Sequence, residues 1–594
     1  MKLKLKNLKY SFRCLKEVIK KHPAFLICGI IEIICLVITK LIPVNVVGKI
    51  VSSFKEGQTF KEILYIIITN VIVFVIASIV YEIIDFVKYY INSHFKLAFS
   101  ITLFEKLKSV DYEFHQNPNF LDNYTRALDN GAEKIYNVAL KQMDMIKEIV
   151  QSIFILSIVF STSKLAVLYA LIVTIIYLFM RRRSSELQFI SMSDQRPFMR
   201  IDWGISLVYF VKDAIPDLKT TDINDVLLEE HDMVNKERLK IYKKIVTKKT
   251  ICDTISQILM ASIFPVMIFF VSLSTIKNKD IAALASLTVA VTTISQCINR
   301  FITIITQIQM DALEAKVTFE VLDMDSKIEG SNGDEVQEEF EKLEIKNMSF
   351  GYTEKMILND IDLEIKKGEK VAIVGTNGAG KTTLVKLLLR LYDPQNGKIC
   401  YNDKDYKSLN PKSLRRKIGA VFQNPEVYSV SVGENVLLKK IETEEEREKV
   451  IEALKFADIY DYIMTLPEGI ETMVTREFRS DGAVFSGGQL QKIAVARGYC
   501  QNYEVLLLDE PSSRLDPIAE AKMYRNMLKM GEGKTLIFIS HRLSAAVNCD
   551  KILLFENGII KEKGTHEELM KIENGKYKEM FVSQAEKYIG DNND

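Results

Sequence analysis

At 594 residues the chain is too long for one hydrophobic core, since domains run to roughly 100–200 residues. Its 78 Lys and Arg against 77 Asp and Glu leave a net charge of +1, so bulk charge makes no case for a nucleic-acid partner. The eight cysteines (14, 28, 35, 252, 297, 400, 500 and 549) form no CxxC pair and no zinc-like spacing, and read as reduced thiols rather than a disulfide framework or metal site.

The lysine-rich start, MKLKLKNLKYSFRCLKEVIKKH, leads into an apolar run too long for a signal peptide, with no small-residue cleavage site. A bilayer core of about 30 Å needs roughly 20 mainly apolar helical residues. Residues 24–50 and 62–85 supply two such spans. The segments 141–160 and 165–180, divided only by STSK, read as a tight membrane hairpin, and 251–276 with 281–308 complete six. Basic residues crowd before the first span, at 181–183 and at 240–249. That bias predicts a multi-pass protein of the cell (plasma) membrane, in contact with lipid, with both termini cytoplasmic. Six buried helices of a soluble protein would not need it.

The long stretches 86–140 and 184–250 are charged and helix-compatible, which predicts two helical hairpins reaching into the cytosol. Their tips, HQNPNFLDN (115–123) and KDAIPDLKTTD (212–222), break the helical pattern and read as short transverse elements suited to pressing on another domain. In the last span, Gln296, Asn299, Arg300, Thr303 and Gln307 fall along one helical face. They line either a wet translocation path or an interhelical contact, in which Arg300 pairs with Glu32 or Glu82.

Residues 1–324 thus form the membrane domain, 325–342 a charged linker, and 343–594 a second domain of short apolar strands between helices. In that domain the buried-strand pattern VAIV (371–374) runs into GTNGAGKTT and then a helix, the context a GxxxxGK[ST] phosphate loop requires. Gly375, Thr376, Asn377, Gly378, Ala379 and Gly380 turn backbone N–H groups onto phosphate oxygens. Lys381 reaches the terminal phosphates, Thr382 is a Mg²⁺ ligand, and Thr383 continues the helix start. The strand VLLLDE ends in Asp509, a second Mg²⁺ ligand, and Glu510, placed to polarise an attacking water. Alone, that acidic pair reads as helix caps. TLIFISHR puts His541 at a strand's carboxyl end, and Gln423 after AVF is placed to sense Mg²⁺ and water. FSGGQ (485–489) sets Ser486, Gly487, Gly488 and Gln489 before a helix, a second anion cradle.

In that order GTNGAGKTT, VFQNP, FSGGQ, VLLLDEPSSRLD and ISHR resemble an ATP-binding cassette (ABC) transporter of the bacterial exporter type, over nearly the whole chain. The resemblance implies an all-α six-helix transmembrane domain with long intracellular extensions, followed by an α/β P-loop ATPase domain, with ATP and Mg²⁺ as cofactors. It places Tyr352 against adenine, although a tyrosine before the first strand also reads as core. It makes Gln423 a lever to the membrane domain, Asp516 part of a loop crossing a dimer interface, and His541 a switch. It also implies that Ser486 and its glycines bind the γ-phosphate held by a second copy, so that a homodimer, or a heterodimer, closes on two ATP molecules. Phe485 for the usual leucine, Arg514 for the usual alanine and the long TREFRSDGAV (475–484) depart from the pattern. Only some twenty residues precede the first span, which leaves no room for a fused peptidase. The expected cargo, exported by alternating access, is a peptide or other amphipathic compound. A lipid flippase and a multidrug exporter are the alternatives, and a soluble cassette ATPase conflicts with six spans.

Overall fold

The computed structural model describes residues 2–211, 214–277, 281–475, 482–512, 515, 517–530, 533–543 and 546–590. It divides into two compact units: residues 1–108 with 119–324, and residues 109–118 with 325–594.

The first unit is helical. An amphipathic helix α1 (Lys2–Lys21) precedes α2 (Ala24–Lys55), α3 (Phe60–Lys108), α4 (Pro118–Arg126), α5 (Ala132–Thr162), α6 (Lys164–Val208), α7 (Ile215–Thr220), α8 (Ile223–Lys277) and α9 (Ile281–Leu322). Among the described residues six helices are long and apolar enough to cross a membrane, and the chain is a multi-pass membrane protein. Long helices follow from near-continuous apolar runs, whose backbone polar groups can be satisfied in lipid only within the helix itself. Between α5 and α6 a single residue, Ser163, turns extended (φ −142°), which makes the membrane hairpin as tight as its sequence predicts. Large side chains such as Ile175 and Phe179 stay exposed along α6, as a lipid-facing surface requires. Inside, α5 packs on α9 and α6 on α8.

Several charged residues within this unit are paired, Arg300 with a partner other than those expected. Glu32 of α2, fully buried, accepts from Lys88 of α3 and Lys147 of α5, both at 2.6 Å. Arg300 instead lies 3.9 Å from Glu148 of α5, so neither Glu32 nor Glu82 is the partner recorded for it. Glu32 already has both carboxylate oxygens occupied by Lys88 and Lys147. The stripe Gln296, Asn299, Arg300 and Gln307 is exposed on α9, while Ile294, Ile298 and Ile302 on the opposite side are buried.

The second unit holds two sheets. A four-stranded antiparallel sheet has the order β2-β1-β4-β5, with β1 Lys342–Phe350, β2 Leu358–Lys366, β4 Asn396–Tyr401 and β5 Lys404–Asp405. A six-stranded sheet has the order β10-β9-β3-β8-β7-β6, with β3 Lys370–Gly375, β6 Ile418–Val421, β7 Val505–Asp509, β8 Thr535–Ile539, β9 Lys551–Glu556 and β10 Ile559–Gly564. All neighbours from β9 to β6 are parallel. Parallel strands are covered on both faces, which is why these read as unbroken apolar runs. Leu506, Leu508, Leu536 and Phe538 enter one core, and Val505, Leu507, Ile537 and Ile539 the other.

The charged stretch after residue 324 is folded onto this unit. Asp111 accepts the backbone N–H groups of Lys327, Ile328 and Glu329, at 2.7, 3.1 and 2.8 Å. Glu329 pairs with Arg415 at 2.5 Å, and Phe340 is buried. Residues 109–118, which run into the predicted tip 115–123, carry Tyr112 onto Tyr392 with ring centroids 5.7 Å apart. Of the second tip, Lys212 and Asp213 lie outside the described residues, and Ile215–Thr220 is a short helix.

Removing Glu32 leaves two buried ammonium groups without their shared counter-charge. Glu32→Ala should therefore destabilise the detergent-purified protein by about 3 kcal/mol. A thermal-unfolding midpoint equal to that of the unaltered protein would contradict this.

Candidate functional site

Register fixes the site. Ile373 of β3 and Asp509 of β7 both pair with Ile539 of β8, so the three strands end within two residues of one another. Gly375, Glu510 and His541 consequently emerge at one carboxyl edge, where open α/β sheets take ligands. A cleft of ≈ 850 Å³ lies there, lined by residues 375–383 together with Gln423, Glu510 and His541.

The loop after β3 depends on glycine. Gly378 and Gly380 have φ of +81° and +98°, a region that L side chains rarely adopt. Gly380 is also the N-cap of the helix Lys381–Leu388, so the positive end of that helix faces the cleft. Lys381 folds back over the loop and donates to the carbonyls of Gly375 and Thr376, at 2.8 and 3.0 Å. Burial lowers its pKa, and the nearby Glu510 and Asp509 oppose that shift.

Asp509 is buried, and its carboxyl is pushed up to about 6, first by burial and then by repulsion from Glu510. A hydrogen bond from Thr382 and the charge of Lys381 pull the other way. Glu510 has φ of +48°, uncommon for a residue with a side chain, and its N–H donates to Ile539 at 2.9 Å. That backbone turns the carboxylate into the cleft. There Gln423 Nε2 donates to one oxygen at 2.9 Å, and His541 Nδ1 lies 3.1 Å from the other. Gln423, Glu510 and His541 thus form one bracket around a carboxylate able to accept a proton.

Thr382, Gln423 and Asp509 offer a hydroxyl, an amide and a carboxylate. This hard-oxygen set suits Mg²⁺, which is held by few protein ligands and completes its shell with water and phosphate oxygens.

Tyr352 follows β1 rather than preceding the first strand, because the alternating KLEIKNMSF already forms one. Its ring meets Phe350 and Tyr392 edge-on, both at 5.2 Å, and its hydroxyl donates to Thr383 at 3.4 Å. It remains 40% exposed, which leaves ring surface available beside the phosphate loop.

The second cradle stands apart. Ser486 accepts from the Gln489 N–H, and Gln489 returns the bond to the Ser486 N–H at 2.8 Å, a capping box on the helix Gly487–Cys500. The first N–H groups of a helix have no partner within it, so those of Gly487 and Gly488 point outward. Among the described residues, none of 486–489 lines the cleft. Asp516, Arg514 and residues 476–481 lie outside the described residues.

Motif reading missed Met580 and Gln584, which line the same cleft from the last helix, Lys576–Gly590. Their spacing from Tyr577 marks one helical face, a signal that says "packed" but not against what.

A phosphate loop, an acidic strand end and a glycine pair at a helix start thus lie in one chain with six membrane-length helices among the described residues. The family model of the ABC transporter matches residues 358–513. The subtilin transport ATP-binding protein SpaT of Bacillus subtilis is 28% identical over 96% of this chain and 92% of its own length. The leukotoxin translocation ATP-binding protein LktB of Mannheimia glucosida is 43% identical over 39% of this chain, and Multidrug resistance protein 3 of Entamoeba histolytica 42% over 38%. The matched segment spans only 32% and 17% of those two relatives. In fold, the chain is similar to a bacterial Atm1-family ABC exporter with ATP bound, with a TM-score of 0.80, 22% identity, and 95% and 98% of the two chains covered. Residues 358–513 thus match the ABC transporter family, and the whole chain has the fold of that exporter.

The Asp509 carboxyl, ordinarily near 3.8, holds its proton up to about 6 in the folded chain. Its contribution to stability is therefore full below about 3.8 and is lost as pH rises through 6. In EDTA without nucleotide, Asp509→Asn should raise the unfolding midpoint at pH 7 by roughly 2–4 °C and leave it unchanged at pH 4. An equal shift at both pH values would rule out this cause.

Proposed function

We propose that this chain is one half of an ATP-driven exporter and works as a homodimer, moving a peptide or similar amphipathic compound out of the cytoplasm. The observation that carries the reading is the bracketed Glu510 carboxylate at the mouth of a phosphate-loop cleft. It sits in a chain whose other half has six membrane-length helices. Similarity to the subtilin transporter over nearly the full length of both chains supports a peptide-like cargo. The clusters of Lys and Arg beside the spans favour the plasma membrane with both termini inside.

In this reading adenine lies on the exposed face of Tyr352. The N–H groups of residues 375–383 and the Lys381 ammonium hold the phosphates. Thr382, Asp509 and Gln423 would hold Mg²⁺, which when bound would neutralise charge developing on the phosphates. Glu510 orients water and takes its proton as the γ-phosphate bond breaks, while Gln423 and His541 hold its two oxygens. Ser486, Gly487, Gly488 and Gln489 close over the γ-phosphate bound by a second copy, with Asp516 at the same interface. Their position outside the cleft of their own chain supports this reading. ATP binding then adds contacts that exist only in the closed pair and shifts the population towards an outward-opening cavity. The two hairpin tips carry that closure, and hydrolysis resets it.

Mixing variants tests the shared site. Lys381→Ala and Ser486→Arg proteins should each be inactive alone. Co-reconstituted one to one, they should recover about a quarter of normal ATP turnover, because half of the two-fold dimers then hold one intact site. No recovery, with mixed dimers shown to form, would place each site within one chain. Glu510→Gln should reduce turnover by about 100-fold while ATP still binds. Stimulation of reconstituted protein across peptides, lipids and hydrophobic cations separates the cargo classes.

A further inference from the structure

The turn after β8 is tied down by two side chains, with Leu543 buried in the core and Arg542 paired with Glu520. Its last ladder contact is the Ser540 N–H to Ile373 at 3.2 Å, after which the Ser540 hydroxyl accepts from the Arg542 N–H at 2.9 Å. His541 itself is half exposed, and its ring rests on Glu510. What grips its main chain comes from the end of the cassette. Gln584 Nε2 donates to the His541 carbonyl at 2.7 Å, and Gln584 Oε1 accepts from the Leu543 N–H at 3.0 Å. One carboxamide thus pairs with the backbone as a neighbouring strand would, and its two partners fix which end is nitrogen.

The helix that carries Gln584 is itself anchored. Tyr577 is fully buried, its hydroxyl is 2.9 Å from His566 Nδ1, and Glu562 accepts the N–H groups of Lys576 and Tyr577 at 2.6 and 3.1 Å. Tyr577, Met580, Phe581 and Gln584 recur at helical spacing, so the buried tyrosine fixes the direction in which Gln584 projects. Met580, one turn earlier, lines the phosphate-loop cleft beside it.

We propose that Gln584 is a positioning residue for ATP hydrolysis: by clamping the main chain at His541 and Leu543 it keeps the imidazole on Glu510, which makes the last helix part of the hydrolytic machinery. This rests on the roles given above to His541 and Glu510. A group held a fraction of an ångström off loses rate without losing affinity, because binding is set by the phosphate loop and Tyr352.

Full-length protein in detergent tests it with four variants: His541→Ala, Gln584→Leu, Gln584→Glu and the double His541→Ala/Gln584→Leu. Gln584→Leu should lower kcat about tenfold with KM for ATP within about twofold, the signature of an interaction that acts on the reaction step. Gln584→Glu keeps the acceptor for Leu543 but loses the donor for His541, and should fall between. The double variant should be no slower than His541→Ala, since the clamp then has nothing to hold. A folded Gln584→Leu protein with normal kcat overturns the inference, as does an undiminished loss in the His541→Ala background. If His541→Ala alone hydrolyses ATP normally, the role of His541 fails first and takes the clamp with it.

Discussion

Parallel pairing on both sides of β8 is the constraint from which the candidate site follows. Because Ile373 and Asp509 meet the same residue, Ile539, the loops after three strands leave the sheet within two residues of one another. A shift of one residue would reverse which side chains enter each core and carry Asp509 out of reach of Thr382. The two apolar cores that cover the sheet hold that register, and the cleft is its result.

Strand ends were readable for the same reason. VAIV, VLLLD and TLIFI are apolar without interruption because both faces are covered, so the polar residue that ends each run announces the sheet's edge. The loop glycines were readable because few residues tolerate their backbone. Other features were not local. Arg300 carries no mark in its sequence that selects Glu148 over Glu32, since that choice is made by how α5 packs between α2 and α9. Tyr352 was placed one strand too early because an alternating, half-charged segment announces itself less clearly than a buried one. Gln584 belongs to an amphipathic helix with no motif, and its use depends on a turn more than forty residues away in sequence.

The membrane unit uses charge in two ways. Glu32, Lys88 and Lys147 are buried together and join three helices, a pairing that costs desolvation but fixes which helices meet. The stripe on α9 leaves polar side chains open on a helix whose opposite face is packed. Such groups are expensive in lipid and therefore call for water, cargo or another helix at that surface.

Asp111 spends both carboxylate oxygens on three successive N–H groups of 327–329, and Tyr112 lies on Tyr392. The ATPase half is consequently not a continuous piece of polypeptide. A fragment begun at residue 325 would keep every motif yet lack ten residues that its own fold treats as internal, exposing an aromatic face and three uncapped amides. Biochemistry on such an excised half would describe a protein with a wound, and its solubility or turnover would be a poor guide to the intact chain.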